Sequence, residues 1–340
     1  MKKTIPFIIA EISANHNGSL SRLKKLIDNA KVNGANAIKI QTYDEKSMTI
    51  QSNKNNFRIK DGLWKNYSYW DLYKKAKTPY KWHKDIFAYA KKKKIVCFST
   101  PFDVDAVDFL EKLNCPMYKI ASFEITDIPL IKRVAQTKKP IIISTGLANI
   151  NEIDEAFKTA KKNGSKNITL LYCVSNYPAN LEDFNLKNIT ILKKRYKCRI
   201  GLSDHSKDST IAITAAALGA DIFEKHIALE KQKVGLDIEF SLKGPELSEY
   251  IKSIKNTYLA LGSSNFLRKK NEIKNIKYRR SLFVTQKIRI GEKFTLKNLK
   301  SLRPKIGLDP KNIYKLLGKK SKKNLEYGTA ITSNTIKKII

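Results

Sequence analysis

Short apolar runs rich in β-branched residues recur eight times in the first two thirds of the chain, separated by segments with helical periodicity. Strands that alternate with helices form parallel sheets, because each helix returns the chain to the same end of the sheet. Eight such units predict a closed (β/α)8 or TIM barrel. An open doubly wound sheet is the alternative, but the glycine-rich loop that follows its first strand is missing from this sequence. The predicted strands are Phe7–Ser13, Ala37–Tyr43, Val96–Phe102, Tyr118–Glu124, Pro140–Gly146, Ile168–Ser175, Arg199–His205 and Ile222–Leu229.

One connection of the predicted barrel, residues 44–78, is much longer than the usual βα loop of about 2–6 residues. Such loops act as lids, binding loops or oligomer contacts. Its aromatic side chains would cover the face of a sugar or pack the loop onto the barrel, and the sequence leaves both interpretations open. These side chains are Trp64, Tyr67, Tyr69, Trp70 and Tyr73. The predicted barrel helices include Leu20–Asn33, Trp82–Lys93, Asp103–Leu113, Asn151–Asn163, Ser209–Leu218 and the closing helix Leu247–Leu261.

The composition changes after the closing helix. Residues 263–277 are polar and rich in lysine, which predicts a linker between a barrel domain, residues 1–262, and a second domain. Residues 278–340 contain short apolar runs separated by glycine-containing turns, which indicates a small compact domain. A domain of this size has a marginal core, so we expect it to dock on another surface.

The chain is strongly basic, with 66 Lys and Arg against 31 Asp and Glu and a formal net charge of +35. Such a balance suits nucleic acid, an anionic surface or anionic small substrates. The lysines are spread over the whole chain and no nucleic-acid-binding motif is found, so we predict anionic small substrates and no nucleic-acid partner. A basic barrel that binds nucleic acid without enzymatic activity is the distant alternative.

The sequence also indicates where the protein acts. No run approaches the roughly 18 apolar residues of a membrane span, and the N-terminus lacks the features of a signal peptide. The four cysteines form no CxxC pair, so no disulfide framework or zinc site is predicted. We therefore expect a cytoplasmic protein without membrane contact.

Polar residues follow every predicted strand at its C-terminal end. Because the strands of a barrel run in the same direction, these ends meet at one rim, where barrel enzymes build their active sites. Eight polar strand ends with charges of both signs are more than turn formation requires, so we predict a catalytic rim. It includes Glu11, Asn15, Lys39, Gln41, Ser99, Thr100, Lys119, Ser122, Ser144, Thr145, Ser175, Tyr177, Ser203, Asp204, His205, Glu224, Lys225 and His226.

Two of the four histidines, His205 and His226, end consecutive predicted strands. Imidazole is the commonest protein ligand of metals, and two imidazoles near carboxylates suit a divalent transition metal. A metal with an open coordination position would polarise a carbonyl group. We therefore predict that His205 and His226 bind a metal.

Lys39 and Lys119 lie inside apolar runs, where a buried ammonium group needs a counter-charge. A bound anion or the carboxylates of Glu11 and Glu224 would supply it. Lysines combined with hydroxyl donors form a cradle for phosphate or carboxylate. The hydroxyl donors at the same rim are Thr100, Ser122, Ser175 and Ser203.

Glu11, Glu224 and Asp237 are the candidates for acid–base chemistry, because carboxylates near a metal and lysines can exchange protons with a substrate. For Glu224, a structural salt bridge to one of the lysines is an equally good interpretation.

These residues stand in segments that resemble the sialic acid synthase family over nearly the whole chain. The matching segments are "FIIAEISANHNGSL", "GANAIKIQTY", "FSTPFD", "YKIASFEITDIPLI", "PIIISTG", "YCVSNYP", "IGLSDHS" and "EKHIAL". The segment "RRSLFVTQKIRIGEKFTLKNLKSLRPKIGL" resembles the family's antifreeze-like (SAF) domain. The pseudaminate-forming branch is the most similar, judged by "GLW…YWDLYKKAKTPYKWHKDIFAYA" and by Ser175, where N-acetylneuraminate synthases usually carry asparagine.

The resemblance implies that phosphoenolpyruvate condenses with an open-chain amino sugar. For the pseudaminate branch the sugar is 2,4-diacetamido-2,4,6-trideoxy-β-L-altrose, and the products are pseudaminate and phosphate. N-acetylneuraminate or legionaminate synthesis is the alternative within the family. The implied cofactor is a divalent metal, most often Mn²⁺, with Mg²⁺ and Co²⁺ as alternatives.

The resemblance also implies roles for individual residues. His205 and His226 would bind the metal, and Arg303 would reach the sugar from the small domain of a partner subunit in a domain-swapped homodimer. The implied phosphoenolpyruvate ligands are Lys39, Thr100, Lys119, Ser122, Ser175 and Ser203. The implied sugar-facing residues are Glu11, Gln41, Tyr177, Asp237 and Arg303. The catalytic candidates are Glu11, Lys39, Lys119 and Glu224.

Overall fold

The computed structural model describes residues 5–334, and the chain divides into two compact units, Met1–Gly262 and Ser263–Ile340. In the first unit eight parallel strands pair in chain order, and the first strand also pairs with the eighth, which closes the sheet. The predicted (β/α)8 barrel is therefore confirmed. The strands are β1 Phe7–Glu11, β2 Ala37–Thr42, β3 Val96–Pro101, β4 Tyr118–Ile120, β5 Ile141–Ser144, β6 Ile168–Cys173, β7 Arg199–Asp204 and β8 Ile222–Ala228.

Each strand ends one to four residues before the end predicted from the sequence. The polar residues at these ends leave the hydrogen-bonded ladder and form tight turns, such as the 3-10 turns Ser13–His16 and Ser122–Glu124. A short strand, β9 Leu242–Lys243, pairs with β8.

Helices cover the outer face of the barrel. Parallel strands buried on both faces carry apolar side chains on both, so the strands read as nearly continuous apolar runs. The first helix shows why the helices dock, since Leu23, Leu26, Ile27 and Ala30 form one buried stripe at helical spacing. The helices are α1 Leu20–Val32, α2 Glu45–Met48, α3 Tyr69–Ala76, α4 His83–Lys92, α5 Val104–Lys112, α6 Ile128–Gln136, α7 Ile150–Lys162, α8 Asn188–Tyr196, α9 Thr210–Ala217 and α10 Glu246–Leu261.

Some of the polar strand-end residues predicted for the rim point away from the barrel interior, so these particular residues do not line the predicted catalytic rim. Lys225 and Asp204 form a fully buried ion pair, with 3.4 Å between Nζ and Oδ2, under helix α10. Tyr250 of that helix donates a hydrogen bond of 2.9 Å to Asp204 Oδ2. Side chains alternate between the two faces of a strand, so Asp204 and Lys225 face the helices while their neighbours His205 and His226 face the interior.

Ser99 makes a similar outward contact. Its hydroxyl lies 2.6 Å from Thr42 Oγ1, which lies 2.8 Å from Nε2 of His83. His83 begins helix α4, as the sequence indicates, and its ring is fully buried behind β2 and β3.

The second unit is a small β-rich domain. Strands β10 Ser281–Val284 and β11 Leu299–Leu302 pair antiparallel, and helix α11 Lys270–Ile273 lies within the lysine-rich segment predicted as a linker. Its core consists of Leu282, Val284, Ile288, Phe294, Leu299, Leu316, Leu325 and Ile331. In the part of the chain that the structure describes, no helix in either unit is both long and apolar enough to cross a membrane.

Candidate active site

Four charged side chains converge inside the barrel at its C-terminal rim: Glu11 on β1, Lys39 on β2, Lys119 on β4 and Glu224 on β8. Lys39 Nζ lies 2.5 Å from Glu11 Oε2 and 3.8 Å from Glu224 Oε1. Lys119 Nζ lies 3.1 Å from Glu224 Oε1. None of the four is more than 4% exposed. Two buried ammonium groups thus face two buried carboxylates, which supply the counter-charges that the sequence requires.

The two carboxylates of this quartet differ in acidity. Burial raises the pKa of Glu11 to about 7, and the attraction of Lys39 offsets only part of that effect. Burial acts on Glu224 in the same direction, but Lys119 and Lys39 outweigh it and hold its pKa below the ordinary value. Glu11 can therefore exchange a proton near neutral pH while Glu224 stays ionised, which is the division of roles that acid–base catalysis needs.

Two of the predicted hydroxyl donors touch the quartet directly. Lys39 Nζ donates a hydrogen bond of 3.1 Å to Thr100 Oγ1. Ser203 Oγ donates one of 3.2 Å to Glu224 Oε1. These hydroxyls therefore line the same space as the lysines.

The other two hydroxyls meet at Gly146, just beyond β5. A Cβ atom built on Gly146 would lie 2.7 Å from Ser122 Oγ and still closer to Ser175 Oγ. A side chain at this position would force both hydroxyls to turn away, because real Cβ atoms do not approach other atoms so closely. Gly146 thus borders the predicted anion cradle, although the sequence did not mark it as a site residue.

His205 and His226 face each other on neighbouring strands, with ring centroids 5.5 Å apart. Nδ1 of His205 lies 2.9 Å from the carbonyl oxygen of Val174, so Nδ1 carries a proton and Nε2 is the ring nitrogen left to bind a metal. Nδ1 of His226 is buried, has no hydrogen-bond partner among residues 5–334, and lies 3.9 Å from Asp237 Oδ2. Burial and nearby cations keep the pKa of His226 well below its ordinary value, so its ring is neutral.

This donor set fits a divalent cation, because it offers an unpartnered imidazole nitrogen, a second free nitrogen and an adjacent carboxylate. Within residues 5–334, no three or more His, Cys, Asp or Glu side chains form a ready-made metal site. Solvent or substrate oxygens would therefore complete the coordination of an ion at His205 and His226.

Aromatic rings form the outer wall beside the histidines. The ring centroid of Tyr177 lies 4.4 Å from that of His205 and 5.1 Å from that of Phe240. Phe240 in turn lies 4.8 Å from His226. Gln41 is half-buried two residues beyond Lys39, on the same face of β2.

Asp237 and Arg303 complete the residues predicted from the sequence. Asp237 is buried, and its Oδ2 accepts a hydrogen bond of 3.1 Å from the backbone N–H of Ala14. Arg303 belongs to the second unit, where it directly follows β11 and is exposed.

Three further residues lie at the rim but were not predicted as site residues: Glu124, Cys173 and Phe240. Burial raises the pKa of Glu124, just after β4, to about 7, and Lys119 opposes this shift. Glu124 is the last residue of the predicted strand Tyr118–Glu124, so its position in the sequence was a signal that could have found it. Cys173 Sγ lies 3.8 Å from Nδ1 of His205, but Cys173 and Phe240 read as ordinary core residues in the sequence.

The barrel and its rim define a (β/α)8 fold with a candidate site of buried lysines and carboxylates beside two histidines that could hold a metal. The chain matches the NeuB family over residues 26–266 and the SAF domain over residues 279–337. The chain belongs to the NeuB family, which confirms the resemblance to sialic acid synthases.

Individual relatives narrow this assignment. The chain is 42% identical to the pseudaminic acid synthase of Campylobacter jejuni, over 96% of this chain and 95% of that protein. It is 39% identical to an N,N'-diacetyllegionaminic acid synthase from the same species, over 95% and 97% of the two chains. Among solved structures, the N-acetylneuraminic acid synthetase of Leptospira borgpetersenii, crystallised with citrate, has a TM-score of 0.72 and 34% identity, over 81% of this chain and 91% of that chain.

Proposed function

We propose that the protein condenses phosphoenolpyruvate with 2,4-diacetamido-2,4,6-trideoxy-β-L-altrose and water to give pseudaminate and phosphate. The observation that carries the reaction class is the buried quartet of Glu11, Lys39, Lys119 and Glu224 beside the two imidazoles. The choice of sugar rests on the greater identity to a pseudaminic acid synthase, 42%, than to a legionaminic acid synthase, 39%.

Phosphoenolpyruvate carries a phosphate and a carboxylate, and Lys39 and Lys119 would offset these charges. The carboxylates that now hold the lysines keep them in position before the substrate arrives, which lowers the cost of ordering them. Hydroxyl groups would hold the remaining phosphate and carboxylate oxygens. These donors are Thr100, Ser122, Ser175 and Ser203.

In the proposed reaction, C3 of the enol bonds to the aldehyde carbon of the sugar while water adds to C2. The bond between C2 and the phosphate oxygen then breaks, and phosphate leaves. The aldehyde oxygen gains a proton and the attacking water loses one as it adds, and the remaining proton of that water passes to the departing phosphate as the C2 keto group forms. Glu11, with a pKa near 7, can donate the first proton, and ionised Glu224 can accept the second.

Contacts to the sugar are assigned to Gln41, Tyr177 and Asp237, all at the mouth of the barrel. We further propose that Arg303 from a second copy of the chain completes the sugar site in a domain-swapped homodimer. The four cysteines are free thiols, which agrees with the reducing cytoplasm as the site of action.

A sugar panel tests this function. Purified enzyme with Mn²⁺ and phosphoenolpyruvate should release phosphate with the 2,4-diacetamido-2,4,6-trideoxy-altrose. The same assay should give at least tenfold lower kcat/KM with N-acetylmannosamine and with the legionaminate precursor. Mass spectrometry of the product supplies the identity check. Phosphate release with N-acetylmannosamine alone would replace the pseudaminate assignment by N-acetylneuraminate synthesis.

A divalent metal, Mn²⁺ or alternatively Mg²⁺ or Co²⁺, would be held by His205 and His226 and would polarise the sugar aldehyde. We expect chelation to abolish turnover and added Mn²⁺ to restore it. The His226→Ala variant should bind at least tenfold less Mn²⁺ than wild type, measured by elemental analysis after dialysis, because it removes one of the two imidazole ligands. His83→Gln is the matched control, since His83 is buried behind β2 and β3 and should leave the metal content unchanged. Full metal content in His226→Ala would refute the assignment.

A further inference from the structure

The long segment between β2 and α4, residues 44–78, reaches across the mouth of the barrel. Strands β2 and β6 lie four places apart in the closed sheet and therefore stand on opposite sides. Trp64 belongs to the segment that leaves β2, yet its ring centroid lies 5.7 Å from that of Tyr177, which follows β6. A residue carried by one side of the barrel thus contacts the wall of the active site on the opposite side.

Trp64 is fixed in this position by a second contact. Its indole N–H donates a hydrogen bond of 3.0 Å to the carbonyl oxygen of Leu236, in the loop after β8. The backbone N–H of Ile59 donates to the carbonyl oxygen of Tyr67, and the N–H of Asn66 donates to that of Ile59, which closes the tip of the segment into a hairpin. An ion pair of 2.5 Å between Lys77 and Glu45 closes its base. The orientation of the indole is therefore built into the fold.

Trp64 differs from its neighbours at the tip of the segment, because their side chains face solvent. Leu63 is 44% exposed, whereas the side chain of Trp64 is half-buried. The ring of Tyr177 contacts Trp64 on one side and His205 on the other, with ring centroids 5.7 Å and 4.4 Å apart. Moving outward from the site of chemistry, the wall of the pocket runs from His205 to Tyr177 and then to Trp64.

We propose that Trp64 is a specificity-determining residue that contacts the end of the amino sugar farthest from its reacting carbonyl. This inference rests on the proposed function, which places that carbonyl at the histidines and directs the sugar chain towards the mouth. The far end is a methyl group in a 6-deoxy sugar and a hydroxymethyl group in N-acetylmannosamine.

The chemistry of the indole favours the methyl group. An aromatic face gains from contact with an apolar group, whereas a hydroxyl buried there without a partner loses its hydrogen bonds to water. The one polar atom of Trp64 is already bonded to Leu236, so the ring offers no hydrogen bond in exchange. Trp64 thus selects 6-deoxy amino sugars over their 6-hydroxy counterparts.

The test compares Trp64→Ala, Trp64→Phe and the control Leu63→Ala with wild type, on the 6-deoxy sugar and on N-acetylmannosamine. In Trp64→Ala, we expect KM for the 6-deoxy sugar to rise about tenfold, with kcat and the KM for phosphoenolpyruvate changed less than about threefold. The preference for the 6-deoxy sugar should fall by about the same factor. Trp64→Phe keeps an aromatic face and should retain most of the preference, and Leu63→Ala should retain all of it.

Fluorescence provides a readout that does not depend on turnover. The chain has three tryptophans, so adding the 6-deoxy sugar without phosphoenolpyruvate should change the emission of wild type and of Leu63→Ala, but much less that of Trp64→Phe. An unaltered sugar preference in Trp64→Ala, or in Trp64→Phe and Trp64→Leu if the alanine variant does not fold, overturns the inference while the proposed function stands. Wild-type enzyme that turns over none of the sugars overturns both.

Discussion

Replacing Lys119 with methionine is expected to lower kcat/KM for phosphoenolpyruvate by about 10²–10³-fold, as when a preorganised group at a developing charge is removed from an active site. Lys119 is 2% exposed and its Nζ lies 3.1 Å from Glu224 Oε1. Methionine preserves the length of the side chain but leaves Glu224 with the hydrogen bond from Ser203 and the more distant ammonium of Lys39, at 3.8 Å. The pocket would therefore lose a cation that binds substrate and gain an under-compensated carboxylate that repels it.

The measurement is steady-state phosphate release at varied phosphoenolpyruvate, with the amino sugar saturating. Lys139→Met is the matched control. Lys139 lies two residues before β5, at the opposite end of the barrel, and its half-exposed ammonium lies 2.6 Å from Glu111. That variant should keep kcat/KM within about twofold, since exposed ion pairs contribute little. If Lys119→Met kept the wild-type KM for phosphoenolpyruvate, the phosphate would have to bind elsewhere.

The charged quartet was predictable chiefly from its two lysines, because each interrupts an apolar strand. Lys39 stands between two isoleucines and Lys119 between Tyr118 and Ile120. A buried strand tolerates an ammonium group only where a negatively charged group lies nearby. In a barrel of parallel strands the C-terminal ends lie at one rim, so residues at these ends come together in space. The eight strands were predictable for the same reason, since alternation with helices leaves few other topologies.

The direction of each polar side chain was not predicted as well as its position. Asp204 and His205 are adjacent, and so are Lys225 and His226, yet only the histidines face the interior. Which of two neighbours faces inward depends on the parity of the strand, and a one-residue shift reverses it. Glu224 and His226 share a face because they are two residues apart, and this regularity was available from the sequence.

Other features depend on tertiary contacts that leave no local pattern. The contact between Trp64 and Tyr177 joins residues 113 positions apart, through a segment whose path the sequence does not specify. Cys173 and Phe240 are residue types that normally fill cores, so their places beside His205 and His226 become visible only in three dimensions. Gly146 matters because it has no side chain that would displace the hydroxyls of Ser122 and Ser175. This becomes visible only once the positions of the two serines are known.

Lys225→Met is expected to lower the free energy of unfolding by about 3–5 kcal/mol, the usual cost of leaving one partner of a buried ion pair unpaired. Both Lys225 and Asp204 have fully buried side chains, and Lys225 Nζ also donates to the carbonyl oxygen of Ser206. Removing the ammonium leaves the Asp204 carboxylate with hydrogen bonds from Tyr250 and Ser206 but with no opposite charge. The urea dependence of unfolding of the full chain, followed by circular dichroism, measures the loss.

Two further variants isolate the charge as the cause. In the double variant Lys225→Met with Asp204→Asn, the amide oxygen can still accept hydrogen bonds but carries no charge, so most of the lost stability should return. Lys252→Met is the control, because Lys252 pairs with Glu249 on the surface of α10 with 66% of its side chain exposed, and its loss should cost less than about 1 kcal/mol. Asp204 and Lys225 immediately precede His205 and His226, so the single variant should also bind Mn²⁺ more weakly, and the double variant should regain affinity together with stability. Equal stability of Lys225→Met and Lys252→Met would mean that the ion pair behind the histidines does not hold these two strand ends in place.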